Sequence, residues 1–261
     1  MDADGVKESF DIGREAAAMM TDHWEHPNKL ELEKIMVPLL LFGKKAYAGV
    51  LYESPTSPGL LSVKGITVVR RDGCPFVRDT CRDLLNIMMF DRDPDRAKQA
   101  ARDAARQLLT GAVDSQRLIM SKKLAAEYKS EKHPQVVVKD KMAQRVRDGT
   151  SAEAPPQAGD RVAFLYGTPR KRKIRPIRGD SHNKELTCMK AEDPSFLAHQ
   201  EDVLVDYEHY FDHCFKKPVT MLLNMVDPRA DRLYDDIVGA FNRKKHRQRA
   251  ITDMFARASK Q

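Results

Sequence analysis

The sequence predicts an α+β fold, in which a helix and a small antiparallel sheet over residues 1–75 precede a mainly helical region with one small β element. The sheet is predicted by two strand-like runs, 30–37 and 46–52, with Lys44-Lys45 at the turn between them. The helical region is predicted by apolar residues that recur at helical spacing through much of the remaining chain.

The N-terminal helix is predicted over residues 6–24, where alanine and methionine favour helix. Pro27 interrupts this pattern just before the first strand. After the hairpin, residues 61–65 form a third short strand or extended segment. The first part of the chain therefore contains one helix and three strands.

The second region is predicted to contain several helices around one strand. Asp93-Pro94 is typical of a helix start, because proline suits the first helical position. Residues 148–160 are rich in proline and glycine and are expected to form a loop. The expected elements are helices at 76–90, 94–110 and 134–147, a strand at 161–166, and two helices within 202–227 separated near Pro218.

The composition favours a polyanionic partner. The chain has 261 residues, a formal charge of +7 and a pI near 9.2. Its four cysteines form no CxxC pair, so neither a disulfide framework nor a structural zinc site is expected. No apolar run has the length of roughly 20 residues that a membrane helix needs, and the N-terminus lacks the order of a signal peptide.

Two segments carry a family resemblance. Residues 30–49 resemble the "LEFEK…PYLL..KKRYAG" stretch of family B DNA polymerases, and residues 64–75 resemble that family's "KG…VRRD.CP" signature. The likeness is nearest to the delta-type replicative enzymes and their relatives in large DNA viruses. Further similar segments are Arg117–Leu124, Gly159–Val162, Lys190–Pro194 and Val205–Val219, so the resemblance covers roughly residues 5–227.

The resemblance implies a division of the chain into three parts. Residues 1–75 would be the end of the polymerase palm, residues 76–230 the thumb, and residues 231–261 a basic tail. The family's catalytic aspartates lie upstream of the matched stretch. We therefore expect no catalytic residue in this chain, and the magnesium ions (Mg2+) of the complete enzyme would be bound mainly by residues outside it.

Lys44, Lys45 and Tyr47 form the "KKxY" element of the resemblance, which in the family contacts the duplex near the primer end. Lysines at a hairpin tip suit adjacent phosphates because the strands hold them in place. Tyr47 is expected on the same face as Lys45. The family usually has arginine where this chain has Ala46, which removes one contact. Without the flanking match, an ordinary charged turn would explain these residues.

Lys64, Arg70 and Arg71 are expected beside the primer strand at the junction of palm and thumb. Adjacent arginines on an extended chain point to opposite sides. One of them would therefore face a DNA phosphate, and the other would pair with Asp72 or another carboxylate. The sequence leaves open which arginine does which.

Glu31 and Glu33 are predicted on one face of the first strand. In the family, the position that matches Glu33 lies close to the catalytic metals, so Glu33 is a candidate metal-proximal residue. The alternative is a salt bridge with Lys34 or Lys44.

Three further features have two readings each. His209 and His213 have helical spacing that suits a metal site, but packing within the thumb helix is the favoured interpretation. The basic runs 170–178 and 243–249 are either solvated segments or DNA contacts.

The tail contains a sequence similar to the box that binds sliding clamps. Gln248, Ile251, Met254 and Phe255 have the spacing of that box, although Met254 stands where an aromatic residue is usual. The apolar members would enter a clamp pocket. The alternative is an amphipathic helix that packs on the thumb.

The predicted function is that of the C-terminal part of a DNA-directed DNA polymerase that grips the primer-template duplex. Such a part fits a fragment of a longer chain and also one product of a split gene. Its partners would be primer-template DNA, the remaining polymerase portion and a sliding clamp, at an intracellular, reducing replication site in the nucleus or cytoplasm. The alternative is a non-catalytic basic nucleic-acid-binding protein with a thumb-like fold.

Overall fold

The computed structural model describes residues 3–129, 133–169, 187–198 and 203–245. The basic run 170–178 and the clamp-like residues Gln248, Ile251, Met254 and Phe255 lie outside this part of the chain. The end of the second basic run, 246–249, does as well.

A helix and a three-stranded antiparallel sheet form the first part of the fold. Strand β2 (Ala46–Tyr52) is central, and β1 (Ile35–Gly43) and β3 (Leu60–Lys64) pair with it on either side. The pairing of β1 with β2 is irregular between Met36 and Leu39, around Pro38, which has no N–H for the ladder. The helix is α1 (Ala3–Thr21).

The strand predicted over 30–37 is wrong in its first half, since β1 begins only at Ile35. The Leu–Glu alternation instead lies in an irregular segment that is fixed to the end of α1. The Thr21 hydroxyl accepts a hydrogen bond from the N–H of Leu30 at 3.0 Å. The Leu32 side chain packs beside Gly13 of α1. This local anchoring overrides the strand-like pattern.

The two faces of the sheet differ in burial. Ala48 and Val50 of β2 are fully buried in the main core, where Val63 of β3 also packs. Leu39 and Leu41 of β1 lie on the opposite face and are exposed. The sheet therefore packs against the helical region through one face only.

Three helices of the second region begin at prolines, as predicted for Pro94: α2 (Pro75–Asn86), α3 (Pro94–Leu109) and α4 (Pro134–Arg147). Asp93 caps α3 by accepting a hydrogen bond from the N–H of Arg96 at 2.9 Å. The helix predicted over 76–90 ends as a π-helical segment, Ile87–Asp91, and Arg92 then turns the chain in the left-handed conformation. Short 3-10 turns cover Thr67–Val69, Ser115–Leu118 and Ala230–Arg232.

A second sheet is larger than the single predicted strand. The strand predicted over 161–166 extends to Pro169 and pairs with three short strands that the sequence did not indicate. The strands are β4 (Met120–Lys123), β5 (Arg161–Pro169), β6 (Ala191–Glu192) and β7 (Val203–Val205), and a short helix, Pro194–Ala198, lies between β6 and β7.

The predicted break near Pro218 is wrong, because the chain is helical from Tyr207 through Leu223. It passes through Tyr207–His209 (α), Tyr210–Phe215 (π) and Lys216–Leu223 (α). The π turn ends at Phe215, and Pro218 lies in the first turn of the α-helical segment that follows, where proline is tolerated. A last helix covers 235–245. No helix in the described residues has the length and apolar character needed to cross a membrane.

Candidate nucleic-acid interface

The tip of the first hairpin carries Lys44 and Lys45, as predicted. Both lysines are exposed, and Lys45 has a φ of 61°. The carbonyl oxygen of Lys45 would lie only 2.1 Å from a Cβ on Gly65. A side chain at residue 65 would collide with the hairpin tip. Glycine at this position therefore allows the backbone that follows β3 to pack directly against the turn that carries the two lysines.

Tyr47 and Lys64 lie next to this tip on one face of the sheet. They are directly opposite each other in the pairing of β2 with β3, and cross-strand partners point to the same side. Leu41 is the partner of Tyr47 on β1 and is exposed, so this face is open to solvent. The hairpin thus presents three lysines and one tyrosine at one end of the sheet.

The structure distinguishes Arg70 from Arg71. The Arg70 guanidinium donates to both carboxylate oxygens of Asp72, at 3.0 and 2.7 Å. This hydrogen bonding keeps the pKa of Asp72 below its ordinary value. Arg71 is exposed and has no carboxylate partner among the described residues. Arg71 is therefore the arginine whose charge is available to a phosphate.

A basic cleft of about 420 Å³ lies between this segment and the second sheet. Register places Lys123 of β4 opposite Arg161 of β5. The Arg161 guanidinium donates to the hydroxyl and carbonyl oxygens of Ser121, at 2.8 and 2.7 Å. The cleft is lined by Arg70, Arg71, Asp72, Ser121, Lys122, Lys123, Gln135 and Arg161.

Sequence reasoning missed Lys122, Lys123 and Arg161 as candidate site residues. The family resemblance places residues 117–124 in the thumb, but nothing in that segment predicts the pairing of β4 with β5. The adjacent lysines were the available signal. Lys122 lies near enough to Asp72 to contribute to the lowering of that carboxyl's pKa, which connects the new cations to the predicted arginines.

Glu31 and Glu33 do not share a strand face, because both lie before β1 begins. The Glu33 carboxylate pairs with Lys34 at 2.7 Å, and Glu31 pairs with Lys29 at 2.6 Å. Both glutamates are exposed. In the described part of the chain, no three histidine, cysteine or acidic side chains are grouped as a metal would require. The metal-proximal role of Glu33 remains a prediction without a local ligand set.

His209 and His213 pack as aromatic rings. Their ring centroids are 4.6 Å apart, and the His209 ring lies 4.2 Å from that of Tyr166. Burial, followed by the proximity of His213, lowers the pKa of His209 to about 4. A neutral, buried His209 in contact with Tyr166 agrees with the packing interpretation.

Asp206 joins the cleft-forming strand to the helix that carries His209. Its carboxylate accepts hydrogen bonds from Lys190 at 2.7 Å, from Thr168 of β5 at 2.8 Å and from the N–H of His209 at 3.0 Å. Burial acts to raise the pKa of Asp206, but these donors together keep it below its ordinary value. This shared anchor fixes the end of β5 against the helical core.

Cys74, Cys81 and Cys214 form no disulfide within the described part of the chain. Burial raises the pKa of Cys74 to about 11 and that of Cys81 and Cys214 to about 12. Thiols with such values carry almost no thiolate at neutral pH and are poor nucleophiles. These three cysteines are therefore part of the packing and not of a reactive site.

Comparison with known families gives one match that covers most of the chain. The model of the family described as DNA polymerase family B matches residues 1–226.

Curated relatives give the same result. The chain is 35% identical over 227 residues to the DNA polymerase delta catalytic subunit of Mesocricetus auratus, covering 85% of this chain and 19% of the relative. It is 29% identical over 229 residues to the delta catalytic subunit of Plasmodium falciparum, covering 88% and 19%. It is 31% identical over 228 residues to the DNA polymerase of Paramecium bursaria Chlorella virus NY2A, covering 87% and 23%. The chain thus spans about a fifth of the length of these relatives.

Proposed function

Because this chain belongs to DNA polymerase family B, we propose that it is the C-terminal part of a DNA-directed DNA polymerase and grips the primer-template duplex. The observation that carries the proposal is the basic surface formed by the hairpin tip and the cleft. Seven of its cations, unlike Arg70, have no carboxylate partner within the described ranges: Lys44, Lys45, Lys64, Arg71, Lys122, Lys123 and Arg161.

The chemistry of this surface suits the duplex backbone. Lysine and arginine bind phosphates without reading the sequence, and each neutralised phosphate releases bound counterions. Lys44 and Lys45 would hold phosphates at the hairpin tip, while Arg71 and the cleft would hold a neighbouring part of the strand. Tyr47, beside Lys64, would contact the sugar or the minor-groove edge.

We assign residues 1–75 to the end of the palm and residues 76–230 to the thumb. In this assignment Lys64 and Arg71 come from the palm side, and Lys122, Lys123 and Arg161 come from the thumb side. A duplex in the cleft would contact both parts. Contact with both would couple the grip on DNA to the relative position of palm and thumb.

In the complete polymerase, Mg2+ would activate the primer hydroxyl and stabilise the departing pyrophosphate. In our proposal the aspartates that bind those ions belong to the polymerase part outside this chain. This chain would hold the duplex so that the primer end stays in place, at the intracellular site where the genome is copied. The relatives named above are all polymerases, which gives no support to a non-catalytic binding protein.

The test combines binding with primer extension. The isolated chain should retain a primer-template duplex but incorporate no nucleotide when Mg2+ and deoxynucleotides are supplied. Measurable incorporation by protein free of other polymerases would contradict the assignment of catalysis to another part. Failure to retain duplex DNA at low salt would contradict the gripping function.

The tail box is a separate proposal that rests on sequence alone. We propose that Gln248, Ile251, Met254 and Phe255 bind a sliding clamp. Burial of a large apolar side chain contributes about 1.5–3 kcal/mol, so loss of two should abolish a micromolar interaction worth about 8 kcal/mol.

A peptide of residues 243–261 provides the measurement. Titrated against the cognate clamp, the natural peptide should bind, Ile251→Ala with Phe255→Ala should not, and Met254→Phe should bind more tightly. Equal binding curves for the natural and doubly substituted peptides would show that the similarity to the box is accidental.

A further inference from the structure

Helix α1 has two apolar faces, and only one of them is covered. Val6, Phe10 and Ala17 are buried on one side of the helix. A second set recurs at helical spacing roughly a third of a turn around α1 and is exposed. We call this set the outer stripe; it consists of Ile12, Ala16, Met19 and Met20.

The outer stripe is too apolar for an ordinary solvated helix face. Ile12 and Met19 are each 60% exposed, and Met20 is 50% exposed. Trp24, which follows the end of α1 and is the chain's one tryptophan, is 46% exposed. Contiguous exposed apolar side chains of this size are typical of a surface that another molecule covers.

Charge indicates which class of molecule that is. Residues 1–25 contain seven acidic and two basic residues, a net charge of −5, in a chain whose total is +7. A polyanion would be repelled from this segment, whereas the basic surface lies at the hairpin tip and the cleft. The covering molecule should therefore be a protein and not DNA.

We propose that the outer stripe is the docking surface for the polymerase portion that lies outside this chain. The inference rests on the proposed function, and the matched relatives contain about four fifths of their length beyond the region that this chain matches. That portion is the protein surface with which a palm fragment must assemble. Ile12, Met19 and Met20 enter its core, and Trp24 closes one end of the contact.

Co-purification provides the first test. The part of the Paramecium bursaria Chlorella virus NY2A polymerase outside the matched region is expressed with an affinity tag, together with this full chain. The natural chain should co-purify, and Met19→Lys should reduce recovery about tenfold or more, because the contact would then have to bury a charge where it otherwise buries the exposed methionine. Ala18→Lys is the matched control, since Ala18 is also exposed on α1 but lies outside the stripe.

Methionine oxidation provides the second test. Hydrogen peroxide transfers oxygen to exposed thioethers and leaves water, and mass spectrometry locates the sulfoxide. Met19 and Met20 should oxidise readily in the isolated chain and be protected about tenfold or more in the co-purified complex. Met189 is 57% exposed in the second region and should react equally in both states, as the internal control.

Each other outcome overturns the proposal. These outcomes are that no variant co-purifies, that Met19→Lys and Ala18→Lys bind equally, or that the complex forms while Met19 and Met20 stay reactive. Protection that rises with the concentration of the isolated chain would identify a second copy as the partner instead. Failure of the duplex-gripping function can be distinguished from failure of the docking proposal. If only the gripping function is wrong, the complex forms and its outer stripe is protected, but the complex does not retain primer-template DNA.

Discussion

Arg70 and Arg71 offer a test in which adjacent residues of the same type should behave differently. Asp72 neutralises Arg70 through two hydrogen bonds, whereas Arg71 has no carboxylate partner among the described residues. We therefore predict that Arg71→Ala weakens duplex binding. The double substitution Arg70→Ala with Asp72→Ala should leave binding unchanged, because it removes one charge of each sign.

The size of the effect follows from counterion release. Each phosphate contact contributes about −0.9 to the slope of log affinity against log salt. Loss of the Arg71 contact should make the slope less steep by about 0.9, which at 0.1 M salt corresponds to an affinity about eightfold weaker. The Arg70–Asp72 pair is largely solvent-exposed, so its removal should change the free energy of unfolding by only about 0–1 kcal/mol.

Fluorescence anisotropy with a labelled primer-template duplex measures both quantities. The natural chain, Arg71→Ala and the double variant are titrated at four or five salt concentrations, after thermal melts confirm that all three are folded. Equal affinity and slope for Arg71→Ala and the natural chain would refute the phosphate contact. A large loss in the charge-balanced double variant would show that the Arg70–Asp72 pair itself shapes the interface.

Two further predictions concern other parts of the molecule. Burial lowers the pKa of His209 to about 4 in the folded chain. As the pH falls, this histidine is therefore protonated in the unfolded chain before it is protonated in the folded chain. The free energy of unfolding should therefore fall by about 3 kcal/mol as the pH drops from about 6.5 toward 4. Urea melts at several pH values measure this dependence. The free energy of unfolding should change less with pH in His209→Phe than in His26→Phe, which replaces an exposed histidine and serves as the control. The same pH dependence in both variants would contradict the burial argument. The double substitution Lys44→Ala with Lys45→Asn should weaken duplex binding more than neutralising the charges in 170–178, because the β-strands hold the hairpin tip in place. Both variants are titrated with duplex DNA at one salt concentration. A larger loss of affinity on neutralising 170–178 would identify the basic run as the main contact.

The sequence predicted those parts of the fold that local pattern determines. Strand β2 and the helix Pro134–Arg147 lie at their predicted positions, and the Lys44-Lys45 turn does as well. The strand prediction for residues 30–34 is wrong because their Leu–Glu alternation is typical of a strand, whereas Thr21 holds the backbone of this segment at the end of α1. A local pattern does not reveal such an anchor.

The candidate site also has a part that the sequence predicts, the hairpin tip, and a part that only the folded structure reveals, the cleft. The hairpin cations were found from their spacing and their resemblance to a family motif. The cleft required the pairing of β4 with β5, which brings Arg161 to Ser121 across 40 positions of sequence. Strands of only two to four residues are too short to show a periodicity of their own, so their pairing is decided by the folded core. The choice between Arg70 and Arg71 likewise needed the position of the Asp72 side chain.

The most direct test of the central claim is the salt dependence of duplex binding by the isolated chain. If the seven cations of the hairpin tip and cleft that lack a carboxylate partner in the described ranges neutralise about five to seven phosphates, log affinity should fall with log salt at a slope of roughly −4.5 to −6. Primer-template duplexes of unrelated sequence should give the same slope and similar affinity. A slope near zero would contradict the claim that this surface grips the DNA backbone.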